Sequence, residues 1–184
     1  MPFLPTICSD ATCRTLYPSD FTLSETDAIS EHPDKTIPCP NCGATGTVSN
    51  TDYNTITPLL ADKVSNTENI QLCKQIQKKI DKTLKKNKPH KTQKELEKLA
   101  LTWQDIWNLA PEDKAEAYAF IRLVFSFVST AITSHKSSGK APDKAVLINK
   151  AYNHFYQLVS PSLATTKKRP QIKTLTSAIR KAPH

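Results

Sequence analysis

"TIPCPNCGATG", residues 36–46, sets Cys39 and Cys42 two residues apart, each next to a proline or a glycine. One tight turn of this kind presents two thiolates, which is half of a tetrahedral metal shell. The other half stands upstream in "ICSDATC", residues 7–13, where Cys8 and Cys13 are separated by four residues. The full layout is Cys-x4-Cys, a gap of 25 residues, then Cys-x2-Cys. Two close pairs on separate turns suit four-coordinate zinc, so Cys8, Cys13, Cys39 and Cys42 are the expected ligands of one Zn2+. Gly43 can take the positive φ that closes the second turn, whose backbone N–H groups then point at the sulfurs. Four thiolates leave no open coordination position, which makes the ion structural and its removal a cause of unfolding.

Two other uses of the cysteines stand beside this one. A disulfide pair is the first. A redox Cys-x-x-Cys is the second, and it ordinarily opens a helix behind a strand. Here "GATGTVSNTDYNTITP", residues 43–58, follows instead and reads as a turn and a short β-hairpin. His32 lies between the pairs and is the alternative to one cysteine as ligand. The start, "MPFLPTICSD", lacks the basic and apolar regions of a secretory signal. Five cysteines without such a signal point to reduced thiols and metal.

Charge divides the chain. Residues 1–57 hold two basic and seven acidic residues, a balance of −5; residues 58–184 hold 23 and ten, a balance of +13. Three glycines against thirteen prolines leave little material for phosphate-cradling loops, and no GxGxxG, P-loop, HExxH or GxSxG is present.

After Pro58 the apolar period becomes helical. Ile70, Cys73, Ile76, Ile80 and Leu84 form one stripe, with Lys74, Lys78, Lys79, Lys82, Lys85 and Lys86 on the other faces. Cys73, on the stripe, reads as a buried hydrophobe. "NKPHK" breaks this helix at Pro89, and "TQKE" predicts a capping box on Thr92 with Glu95 three residues on. Leu96, Leu99, Trp103, Ile106 and Trp107 make the next stripe, the tryptophans being core or helix contacts. Pro111 is expected in the first turn of a third helix, and Pro142 with Asp143 starts a fourth. In the fourth, Leu147, Ile148, Ala151, Tyr152, Phe155 and Val159 face inward; Tyr152, His154 and Tyr156 read as interfacial rather than as a site. The third carries "AYAFIRLVFSFVSTAI", residues 117–132, which is short of the 20 or so apolar residues of a membrane span and holds Arg122 near its middle. A core helix is the preferred reading; the flanking charges keep a membrane span as the alternative.

The fold class is therefore α+β: a zinc-ribbon module of short hairpins over residues 1–57, then a mainly helical domain of about four to five helices over 58–164. A basic tail, 165–184, has the pattern of a short amphipathic helix through Ile172, Leu175 and Ile179.

The cysteine layout and "LAPEDKAEAYAFIRLVFSFV" together resemble a loose group of bacterial proteins of unknown function. These carry an N-terminal "C-x4-C…CPxCG" zinc ribbon, a helical middle and a hydrophobic helix. The resemblance spans about residues 5–133 and implies zinc ligation by the same four cysteines. It also implies a membrane span in the hydrophobic segment, from which this chain departs through Arg122. It implies no activity.

No grouping of side chains makes an active site, so an enzyme is unsupported by the sequence. Residues 74–98 carry ten lysines against three acids, a surface suited to phosphate. Lys74, Lys78, Lys79, Lys82, Lys85, Lys86, Lys167, Lys168 and Arg169 are the expected nucleic-acid contacts, since the ribbon itself is acidic. The expected role is a cytoplasmic accessory protein associated with nucleic acid. The alternatives are a protein–protein adaptor that self-associates through the apolar helix, and a small protein anchored in the inner membrane by residues 115–133.

Overall fold

Phe3–Cys8 buries five of its six side chains because it is an inner strand. This strand, β1, pairs antiparallel with β2 (Leu16–Thr22) on one side and with β4 (Thr45–Val48) on the other. The two-residue β3 (Ile37–Pro38) pairs with β4, giving the order β2-β1-β4-β3. The computed structural model describes residues 2–23, 37–49, 51–84, 89–138 and 143–159. His32, Lys85, Lys86, Pro142, Lys167, Lys168, Arg169 and the expected tail helix lie outside the described residues. The hairpin expected after the Cys-x-x-Cys turn is instead built around it, with β3 and β4 as its arms.

The helical part begins earlier than Pro58. Helix α1 spans Tyr53–Ser65 and is capped by Asp52, whose carboxylate accepts the Thr55 N–H at 3.0 Å. Pro58 lies inside it, where a proline is costly. Tyr53, Ile56, Leu60, Ala61 and Val64 form a buried stripe along the helix, and their burial outweighs that cost.

Helix α2 (Ile70–Leu84) follows a 3-10 turn and buries Cys73, Ile76 and Ile80 as expected. Helix α3 (Pro89–Leu99) starts at the proline, not at Thr92. The fixed φ of Pro89 suits a first turn, and Thr92 is buried on the inner face one turn before Leu96. The expected single stripe from Leu96 to Trp107 spans three pieces. The chain turns at Ala100, passes a 3-10 turn, and forms the one-turn α4 (Gln104–Trp107). Both tryptophans are buried, and Trp107 donates its indole N–H to the Ala100 carbonyl at 3.2 Å.

Helix α5 (Lys114–Ser138) is started by Asp113 rather than Pro111: the Asp113 carboxylate accepts the N–H groups of Ala115 and Glu116 at 2.8 and 3.1 Å. Asp113 is held below the usual carboxylate range chiefly by the Glu116 N–H. Asp143 starts α6 (Lys144–Val159) in the same way, accepting from Ala145 and Val146. The class is α+β, with six α-helices among the described residues.

Helices α1, α2, α3 and α6 all pack on α5, which buries Phe120, Leu123, Val124, Phe127 and Val128 among them. By length and composition α5 could cross a membrane, and 67% of the qualifying window is buried inside the protein. Arg122 is accommodated by polar partners. It donates to the Leu158 carbonyl at 2.6 Å and the Tyr118 hydroxyl at 3.0 Å, and its guanidinium lies 4.4 Å from the Tyr118 ring centre.

One hydrophobic cluster runs from Leu4, Ile7, Leu16 and Phe21 of the sheet through the helices to Val159. Polar pairs add to this packing, one between sheet and helix and one between helices. Tyr156 donates to the Phe3 carbonyl at 2.6 Å, and the Thr57 and Tyr152 hydroxyls meet at 2.8 Å in the buried seam between α1 and α6. Replacing Thr57 by valine keeps the shape and leaves the Tyr152 hydroxyl without this partner. We expect a loss of about 1–3 kcal/mol in urea unfolding; an unchanged midpoint would show that the bond contributes nothing.

Candidate metal centre

Two turns bring the four sulfurs together. The first leaves the end of β1 at Cys8 and is shaped by Asp10. The Asp10 carboxylate accepts the backbone N–H groups of Thr12 and Cys13 at 2.8 and 2.9 Å and the Thr12 hydroxyl at 2.6 Å. These bonds, with that of the Thr12 hydroxyl first, hold Asp10 below the usual carboxylate range. The turn closes through the Arg14 N–H to the Asp10 carbonyl at 3.0 Å and the Cys8 N–H to the Thr15 carbonyl at 2.9 Å. The second turn joins β3 to β4. Its closing bonds run from the Cys39 N–H to the Ala44 carbonyl and from the Gly43 N–H to the Cys39 carbonyl, at 2.7 and 2.8 Å.

Each turn reverses on a residue with positive φ directly after its second cysteine: Arg14 at 44° and Gly43 at 77°. A Cβ on Gly43 would meet nothing within 4 Å, so conformation alone asks for glycine there. Arg14 takes the same region at a steric cost, which the Asp10 network offsets.

All four sulfurs lie within 4.8 Å of one another. Cys8 and Cys42 are 3.5 Å apart and Cys13 and Cys39 are 3.8 Å apart. Zn–S bonds of about 2.3 Å in a tetrahedron require sulfur–sulfur edges of roughly 3.8 Å, so the set fits such an ion. The surroundings fit as well. The backbone N–H two residues beyond the cysteine faces the sulfur at Cys8, Cys13 and Cys42, from Asp10, Thr15 and Ala44. The Asn41 amide donates to the Cys13 sulfur at 3.3 Å, and the Thr15 hydroxyl lies 3.1 Å from it. These donors stabilise thiolate charge and orient the ligands.

Burial pushes the Cys8 thiol up to about 12, while the Thr15 hydroxyl, then the Asn41 amide, pull Cys13 down to about 6. Four sulfurs this close repel as thiolates, and a dication in their midst removes the conflict.

Tyr17 roofs the site. It packs with Cys8 and Cys39 and donates to the Ile37 carbonyl at 2.7 Å. Burial, then the charge of Cys39, raises its phenol to about 12. Its ring passes directly over Gly46, where an added Cβ would lie 1.8 Å from the Tyr17 hydroxyl oxygen and 2.5 Å from Thr6 Cγ2. Tyr17, Gly46, Asn41 and Arg14 escaped the sequence reading. Only Asp10 carried a local signal, the aspartate that opens an Asx turn.

Cys73 is separate from this centre, buried on α2, with its thiol raised to about 12 by burial. The expected lysine contacts divide. Lys74, Lys78 and Lys82 are exposed along α2, whereas half-buried Lys79 is paired with Glu95 of α3 at 2.9 Å.

Comparison of the chain with family models, curated proteins and solved structures gives no match. Of the resemblance to bacterial zinc-ribbon proteins, the clustered cysteines and the helical region behind them stand.

Gly46→Ala should cost about 1–3 kcal/mol of stability through overpacking against Tyr17 and Thr6. Thermal unfolding of the metal-loaded protein reads this directly, and an unshifted midpoint would show that Tyr17 can move aside freely.

Proposed function

We propose that the chain holds one structural zinc ion and serves as a non-enzymatic accessory protein whose basic helical domain associates with nucleic acid, or with a complex that handles it. The metal part rests on the closed four-sulfur set: Cys8, Cys13, Cys39 and Cys42 would complete the shell and leave no position for a substrate. The zinc would supply rigidity to the sheet rather than chemistry.

The nucleic-acid part rests on one observation. Lys74, Lys78 and Lys82 on α2 and Lys91, Lys94 and Lys98 on α3 are all exposed, and none is in an ion pair with another described residue. Uncompensated lysines spaced along a rigid helix pair attract polyphosphate. The large hydrophobic side chains exposed among the described residues are Phe3, Leu101 and Val146. They stand on separate elements, which favours this reading over an adaptor docking through an apolar face. The burial of α5 among four helices favours a core helix, and with it a cytoplasmic protein, over a membrane anchor.

The zinc-loaded protein should bind nucleic acid in a salt-sensitive way. Lys74→Glu, Lys78→Glu and Lys82→Glu combined should abolish the shift in a gel assay while the helical circular dichroism stays constant. Binding that survives this triple change would contradict the assignment to α2. A protein extracted from cells only with detergent would contradict the cytoplasmic placement.

A further inference from the structure

Helices α2 and α3 pack against each other as a hairpin. The Lys79–Glu95 pair marks the seam between them. On α2, Lys82 follows Lys79 by three residues; on α3, Lys91 and Lys98 flank Glu95 at four and three. Helical periodicity therefore sets the exposed lysines of both helices on the outer surface of the hairpin, on either side of that seam. One row, Lys74, Lys78 and Lys82, is about 12 Å long; the other, Lys91, Lys94 and Lys98, is about 10 Å long. Packed helix axes lie roughly 8–10 Å apart.

The chemistry of this surface is narrow. Residues 70–99 contain no Phe, Tyr or Trp, and the one ring that a base could stack on is that of exposed His90 in the first turn of α3, too few for a run of stacked bases. They contain no arginine either, and so lack both the bidentate fork that reads guanine and a guanidinium plane for stacking. Lysine is a point charge suited to phosphate oxygen. Two cation rows fit a ligand that presents two phosphate rows across a groove roughly 6–12 Å wide. A single strand presents one row at about half the axial charge density.

We propose that the outer face of the α2–α3 hairpin binds the backbone of double-stranded nucleic acid across a groove, without reading sequence. The proposal rests on the nucleic-acid reading above and names the ligand class of that same surface. DNA and RNA duplexes share the two-row chemistry and differ in groove shape.

The test is fluorescence anisotropy with the full-length zinc-loaded protein. The probes are a 20-base-pair DNA duplex, an RNA duplex of equal length, and a 20-residue oligo(dT). At 50 mM salt at least one duplex should bind ten-fold or more tighter than oligo(dT), and the better duplex identifies the natural form. With six phosphate contacts, duplex affinity should fall about 10³-fold between 50 and 200 mM salt. Changing the sequence of the duplex should alter affinity less than three-fold. Lys→Gln at all six positions should remove duplex binding; the comparison among wild-type probes stands even if that variant folds poorly. Equal or tighter binding to oligo(dT), or a ten-fold sequence preference, overturns the duplex proposal while leaving the nucleic-acid reading intact. No binding to any probe at 50 mM salt overturns both.

Discussion

Four sulfurs confined within 4.8 Å are the constraint on which the N-terminal part depends. Two of them end or follow strands of the same sheet: Cys8 closes β1 and Cys39 follows β3. Drawing the two turns together therefore fixes how β4 lies against β1 and how the short β3 lies against β4. A sheet of four strands, one only two residues long, has little apolar surface with which to set its own register. Its second apolar cluster is just Cys8, Tyr17 and Cys39, with Cys13, Ile37 and Ala44 against it. Coordination would replace the missing core.

The sheet in turn supplies part of the helical core. Leu4, Ile7, Leu16 and Phe21 are buried in the same cluster as the helices, and the Tyr156–Phe3 bond fastens α6 to β1. Glu116, in the first turn of α5, accepts from the hydroxyls of Ser49 and Thr51 in the segment leading from β4 to α1. Described residues on both sides of the charge divide therefore share one apolar interior. Arg122 shows how α5 remains a core helix despite a charge. Its guanidinium is held by the Leu158 carbonyl of α6 and the Tyr118 hydroxyl one turn back on α5, so the charge meets polar partners inside the packed helices.

Much of this was legible in the residues. Cysteine spacing located the four-sulfur cluster, because a tetrahedral shell needs two close pairs. Apolar periodicity located the buried faces of α2 and α6, because the 3.6-residue repeat does not depend on the partner; α5 was marked by its apolar content alone. Boundaries were less legible. Asp52 and Asp113 won the helix starts over Pro58 and Pro111, since a capping carboxylate satisfies N–H groups that proline merely avoids. Thr92 had the spacing of a capping box yet is buried, a tertiary outcome that no local pattern encodes. The crossing of Tyr17 over Gly46 is likewise a contact between strands 29 residues apart in sequence, invisible until the sheet is assembled. The lysine surface was visible as composition, but its division into two rows about the Lys79–Glu95 seam came only with the packing of α2 on α3.

The central claim is that Cys8, Cys13, Cys39 and Cys42 enclose one metal ion completely. X-ray absorption at the zinc edge of the purified full-length protein tests it most directly. The account predicts a first shell of four sulfurs at about 2.3 Å and no nitrogen or oxygen. A shell containing a nitrogen, as His32 would supply, or fewer than four sulfurs, would contradict it.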